Sequence, residues 1–131
     1  MPKYKNLITR QKSIDLAIGV YKITKNFPSE EQFGSSSQIR RAVVSISSNI
    51  AEGSGTDSKR NRMRFLYMAV GSCNELENLV IIANKLGYID DNTSKELENN
   101  LEDTRKPLMG LIKHIRDQIE NYKYKKYFIT I

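Results

Sequence analysis

The chain reads as an all-α protein, an antiparallel up-down four-helix bundle, and three observations lead there. Apolar residues recur every three to four positions through four separate segments, which is the period of a helix. The stretches between those segments are short and rich in Ser, Gly, Pro, Asn and Asp, as connections between adjacent antiparallel helices are. No segment alternates apolar and polar residues for long enough to make a convincing strand. With 131 residues the chain has the length of one domain, 1–131, and enough residues to bury a sizeable core.

The first helix is expected at about 9–26. Ile14, Ala17, Ile18 and Tyr21 form one stripe, and Leu16, Val20, Ile23 and Phe27 a neighbouring one, so its apolar face is wide. Pro28 ends it, because the proline ring disfavours helical geometry at the residue before it, and Ser29 to Gly34 form a connector. The second helix is expected at 36–53, capped by one of Ser35, Ser36 or Ser37 and closed by Gly53 and Gly55. Its apolar residues Ile39, Val43, Ile46 and Ile50 are interleaved with Ala42, Ser45, Ser47, Ser48 and Ala51. Small residues at those positions predict close contact with more than one neighbour.

Thr56-Asp-Ser58 opens a third helix at 57–86, and Gly87 closes it. Leu66, Ala69, Cys73, Leu76, Val80 and Ala83 repeat with the 3-4 spacing of a left-handed bundle seam, and Phe65, Ser72, Leu79, Ile82 and Leu86 form a second row beside it. Two rows predict two packing partners. The fourth helix is expected at 91–121, with Leu97, Leu101, Thr104, Leu108, Leu111, Ile115 and Ile119 on one stripe. Pro107 falls inside it and predicts a kink or a break. Residues 122–131, rich in Tyr and Lys, are expected as a C-terminal tail.

The formal net charge of +6 is unevenly distributed. Residues 1–27 carry six basic and one acidic residue, and residues 34–64 six and two, whereas residues 65–106 carry four and eight. Clustered Lys and Arg with a pI near 9.4 are the electrostatic footprint of a polyanion binder. No apolar run approaches the roughly 18 residues that would span a bilayer, and the N-terminus lacks the apolar core of a signal peptide, which points to the cytoplasm and away from a membrane partner. Cys73, the one cysteine, cannot form an intrachain disulfide and lies in an apolar stripe, so it reads as a small core residue.

Four stretches carry a family resemblance: Ser37-Gln-Ile-Arg-Arg-Ala42, Ser45-Ile-Ser-Ser-Asn-Ile-Ala-Glu-Gly53, Phe65-Leu-Tyr-Met-Ala-Val-Gly-Ser-Cys-Asn-Glu-Leu-Glu77 and Leu86-Gly-Tyr-Ile89. Over roughly residues 5–120 the chain resembles the four-helix-bundle proteins encoded in intervening sequences of bacterial large-subunit (23S) ribosomal RNA genes. It is also similar to the related accessory variability proteins of diversity-generating retroelements, which assemble with a reverse transcriptase and RNA. The resemblance implies an up-down bundle assembled as a ring-shaped homopentamer, a nucleic-acid role, and no established catalytic activity. Two positions depart from the pattern: Ser47 stands where proline is common, and Pro107 where a helix former is usual.

The residues themselves argue for assembly and binding rather than catalysis. Arg40 and Arg41 point about 100° apart on a helix. One of them is expected to pair with Glu52, Glu75 or Glu77, inside the protomer or across a subunit boundary, and the other to face solvent and a phosphate. Asn49 and Glu52, one turn apart, are expected to join them in a fixed polar network that sets bundle register or a subunit interface. Bundle di-iron sites need Glu-x-x-His on two helices, and the single histidine, His114, has no Glu three residues before it. No base is placed beside a nucleophile, and Gly53-Ser-Gly55 lacks the Gly-Lys-Ser/Thr ending of a phosphate loop. The expectation is therefore no enzyme, no metal, no cofactor and no small-molecule substrate.

Three basic clusters are the candidate nucleic-acid contacts: Lys59, Arg60, Arg62 and Arg64; Lys3, Lys5, Arg10 and Lys12; and Lys123, Lys125 and Lys126. The first opens the third helix, where cations oppose the positive end of the helix dipole. The last is interleaved with Tyr122, Tyr124, Tyr127 and Phe128, rings able to stack on unpaired bases. The chain is thus expected to form a homo-oligomer that binds RNA or a ribonucleoprotein. The alternative is an adaptor whose basic face receives an acidic protein such as a reverse transcriptase or another polymerase.

Overall fold

The computed structural model describes the backbone over residues 3–129 and the side chains over residues 5–127. Within them the chain forms four α-helices and no strand: α1 Lys3–Thr24, α2 Ser35–Ser54, α3 Lys59–Lys85 and α4 Asp91–Ile129, with a 3₁₀ turn at Ser29–Glu31 between α1 and α2. Each helix packs on its neighbour in sequence, and α1 closes the square by packing on α4. The pairs run antiparallel. Asn6 near the start of α1 donates to the Ser54 hydroxyl at the end of α2, Ser45 of α2 meets Ser72 of α3, and Arg116 of α4 reaches Tyr67 of α3.

Local chemistry fixes where the helices begin and end. None of the three candidate serines caps α2. The Glu31 carboxylate in the preceding 3₁₀ turn instead accepts from the Ser35 N–H at 3.1 Å and from the Tyr88 hydroxyl at 3.0 Å. One acidic side chain therefore starts α2 and ties the α1–α2 connection to the α3–α4 connection. Ser58 caps α3 by accepting from the Asn61 N–H. The other end of α3 closes in a Schellman arrangement: Gly87 takes φ +80°, and the Gly87 and Tyr88 N–H groups donate to the Asn84 and Ala83 carbonyls. Asp90 accepts from the Thr93 N–H at 2.7 Å and caps α4, which holds its carboxyl below the usual carboxylate range.

Three expectations need correction. Gly53 does not stop α2; it is buried within the helix, where a Cβ would lie 3.3 Å from the Phe65 Cβ and 3.4 Å from the Arg62 carbonyl, so its role is close approach of α3. Helix α4 passes through Pro107 without the break, although proline cannot make the N–H bond there. The stretch expected as a tail continues α4 to Ile129, giving a helix of 39 residues, about 58 Å long at 1.5 Å per residue. The α1 boundary also moves, from about Thr9 to Lys3, because a basic, poorly periodic first turn gave no apolar signal.

The core takes one of the two α1 stripes and, of the other, mainly Ala17. Leu16, Val20 and Phe27 are buried with the seam residues of α3 and the stripe of α4, whereas Ile18 and Tyr21 stay exposed, Tyr21 lining a surface groove with Phe33 and Val44. Phe33 is 91% exposed. Polar residues Thr9, Ser13 and Thr24 occupy buried α1 positions, each donating its hydroxyl to a carbonyl three or four residues back. On the α3–α4 side Arg105 pairs with both Glu77 and Glu102. No helix is long and apolar enough among the described residues to cross a membrane.

Two stability measurements follow. Gly53→Leu should destabilise the fold by roughly 1–3 kcal/mol through overpacking against Phe65 and the Arg62 backbone. Gly19→Ala, at a helical position with open space around it, should stabilise by about 0.5–1 kcal/mol; denaturant midpoints moving the same way for both would contradict the packing assignment. Burial pushes the Cys73 thiol up to about 11, only partly offset by the Arg105 charge. Its folded pKa lies above its ordinary value, so its contribution is complete below about pH 9 and is lost as pH rises towards 11. The stability advantage of the parent over Cys73→Ala should therefore shrink across that window. The folded thiol should also resist a thiol reagent at pH 8 until denaturant is added.

Candidate nucleic-acid interface

The antiparallel topology brings the start of α1, the end of α2, the start of α3 and the end of α4 to one end of the bundle. The chain segments that build this half, 3–12, 52–67 and 113–129, carry thirteen Lys and Arg against four Asp and Glu. The remaining residues carry eight against eleven. Three basic clusters, the first and last more than a hundred residues apart in sequence, thus converge, whereas at the opposite end Glu30, Glu31, Asp90, Asp91, Glu96 and Glu98 are balanced by Lys22, Lys25, Arg40, Arg41, Lys85 and Lys95.

Within the basic end the cations differ in what they are free to do. Lys59, Arg60 and Arg64 are exposed on the first turns of α3. The Arg64 guanidinium lies 4.8 Å from the centre of the Phe65 ring, a cation–π contact that steadies it without burying it. Arg62 is turned inward: it is half-buried and donates to the Thr56 carbonyl at 3.2 Å, holding the α2–α3 turn. Sequence spacing alone places it with its neighbours; the turn geometry takes it away. Lys5 and Arg10 are exposed on α1, while Lys12 lines a groove of about 520 Å³ between α1 and α4 with Asp15 and Asp103. The Lys3 side chain lies outside the described residues. Lys123, Lys125 and Lys126 lie on the exposed final turns of α4. Arg116 and Tyr67, joined by a 3.4 Å hydrogen bond, add a cation and a ring that sequence reading missed, since only the α3–α4 register puts them together.

The expected polar network is dispersed rather than single. Arg40 pairs with no glutamate; its Nε donates to the Thr24 hydroxyl at 2.8 Å and its guanidinium covers the Tyr21 ring at 4.7 Å, so it locks the end of α1 to the start of α2. Arg41 is exposed and lines a small α2–α3 groove with Glu75. Asn49 donates to the Ser45 carbonyl and hydroxyl, and Ser45 in turn meets the Ser72 hydroxyl at 2.8 Å. Glu52 is exposed and joins none of these contacts within the protomer. Glu77 finds Arg105 of α4, a partner the sequence could suggest only through the visible Glu102/Arg105 spacing of three residues. His114 is half-buried on α4. Among the described residues no three His, Cys, Asp or Glu side chains are grouped so as to hold a metal ion.

Comparison with known proteins gives the family. No curated protein matches the chain. A crystal structure of a protein of unknown function from the S23 ribosomal protein family of Bacteroides thetaiotaomicron superposes with a TM-score of 0.78 at 26% identity, covering 83% of this chain and 98% of that one. The sequence model of the 23S rRNA-intervening sequence proteins matches residues 5–110, a span that holds all of α2 and α3 and the Arg40, Asn49 and Glu77 contacts just described. The chain belongs to the 23S rRNA-intervening sequence protein family.

Proposed function

We propose that this protein is a non-enzymatic, self-assembling cytoplasmic bundle that binds RNA, or an RNA-containing complex, through its basic end. The observation that supports this most is the convergence of the three basic clusters, which multiplies phosphate contacts that would each be weak alone. Lys59, Arg60 and Arg64, exposed on one helix start, are its centre. Clustering cations at the positive end of a helix dipole costs local stability, and phosphate contact offsets that cost.

Assembly is the second half of the reading. Ile18, Tyr21, Val44 and the 91%-exposed Phe33 make an apolar face at α1, α2 and their connection, while Met68 and Ile82 on α3 and Leu86 at its C-terminal end are exposed. Two different faces on one protomer favour a head-to-tail contact, and such a contact closes into a ring when its rotation allows. We take a pentamer as the ring size that the family resemblance implies. Several basic ends on one ring would bind one RNA with avidity.

Binding of RNA by the parent should weaken steeply and linearly on a plot of log affinity against log salt. Reversing Lys59, Arg60 and Arg64 to Glu should lower affinity at least tenfold and flatten the slope by about 2, at ~0.7 per lost phosphate contact on a single strand. Salt-insensitive binding, untouched by these changes, would overturn the RNA reading, and tight capture of an acidic protein instead would make the chain an adaptor. Light scattering should give a multiple of the 15.1 kDa protomer mass. Phe33→Asp with Ile18→Asp should reduce that mass, and a parent mass near one protomer would remove the ring.

A further inference from the structure

Two uncovered apolar surfaces of the protomer differ in charge and lie at one height on the bundle. The first belongs to α1, α2 and their connection, where two grooves are lined by Ile14, Ala17, Ile18, Tyr21, Phe33 and Val44. The charged residues lining those grooves are Lys22, Lys25, Arg40 and Arg41, with no Asp or Glu among them. The second is the outward side of the C-terminal half of α3, where Ile81, Ile82 and Leu86 are exposed. Gly71, Glu75, Asn78 and Ile82 share that side, at i, i+4, i+7 and i+11. Glu98, Glu102 and Arg105 share one side of α4 by the same spacing, and Arg105 reaches Glu77 of α3, so Glu98 borders the second surface. A Cβ at Gly71 would meet nothing within 4 Å. Glycine in a helix interior is destabilising, and packing within the protomer gives no reason for it here.

Resting on the assembly reading above, we infer that the α1–α2 face docks on the outward side of α3 in a second copy, with its cations opposite the carboxylates Glu75 and Glu98. Ile14, Ala17, Ile18 and Tyr21 stand at i, i+3, i+4 and i+7, the spacing at which one helix face receives another helix. Two hydrogen bonds set the heights. Ser45, next to Val44, meets Ser72 of α3 at 2.8 Å, and Glu31, two residues before Phe33, accepts from Tyr88, two residues after Leu86, at 3.0 Å. Val44 is therefore level with the Gly71 end of the α3 surface and Phe33 with its Leu86 end. Rotation about an axis parallel to the helices brings one surface onto the other without sliding along the bundle. Pairing of the α1–α2 face with itself would instead set Lys22 and Lys25 against their own counterparts, a like-charge contact. The contact thus runs from one surface to a different one, the head-to-tail kind. Gly71 lets the incoming side chains reach the α3 backbone.

The test follows the mass of the full chain and its variants by light scattering, with circular dichroism to check that the helices persist. Lys22→Glu/Lys25→Glu spoils the first surface and Gly71→Gln/Ile82→Gln the second, and each variant alone should fall to the 15.1 kDa protomer. The charge-reversed pair should assemble on the order of 100-fold more weakly than the parent. Mixed in equal amounts, the two variants should form a complex of two chains and nothing larger, because each supplies the intact surface that the other lacks. A chain carrying Lys22→Glu, Lys25→Glu, Glu75→Lys and Glu98→Lys together exchanges the charges and should regain the parent mass. A parent that assembles while both variants keep its mass would overturn this contact and leave self-assembly standing. Variants that dissociate but do not combine on mixing, or a charge-exchanged chain that stays dissociated, would overturn the pairing of these two surfaces. A parent at the protomer mass, whatever acidic protein its cationic face captures, would overturn both readings.

Discussion

Two helix backbones can approach closely only where neither presents a long side chain, and α2 and α3 meet under that constraint. Gly53 of α2 leaves room for the Phe65 side chain and the Arg62 carbonyl, and Ser45 and Ser72 hydrogen-bond across the same pair. Buried Ala42 on α2 and Ala69 and Cys73 on α3 keep the surroundings small. This is the most extensive helix pair in the bundle, and the remaining helices are set by it. The position of α2 sets α1 through Arg40, Thr24 and Tyr21, and the position of α3 sets α4 through Glu77 and Arg105. Of the arginines and glutamates in the family-bearing segments, Arg40 and Glu77 therefore act as clamps between adjacent helices.

Antiparallel packing has an electrostatic consequence that composition hides. Because the four helix dipoles alternate in direction, they largely cancel at each end, and side chains determine the sign there. A chain with a modest net charge becomes a molecule with one strongly basic end and an opposite end of nearly balanced charge. Such a field steers a polyanion to one end of the bundle. In a ring with its bundles aligned, that end would repeat around one face.

Much of the architecture was legible along the chain. The seam of α3 and the stripe of α4 appear in the core as their spacing implies, and Ser58 and Gly87 terminate α3 as their chemistry requires. Errors arose where a residue had two local meanings. Gly53 reads as a stop signal and is a packing contact; Tyr122 to Phe128 reads as a tail because its pattern lacks a core-facing stripe, yet the helix continues without one. Glu31 escaped notice as a cap because it acts from a 3₁₀ turn four residues before its donor.

The sequence by itself determined the four helices, most of their buried faces and the family, since these depend on periodicity and on residues near one another in the chain. Only the tertiary structure decided which of the two α1 stripes is covered, that Arg40 grips α1 rather than a glutamate, that Arg62 turns inward while Lys59, Arg60 and Arg64 remain exposed, and that three distant basic clusters share one end. Those outcomes depend on the register between helices. That register is set by side-chain volumes at the contacts, which a helical period does not encode.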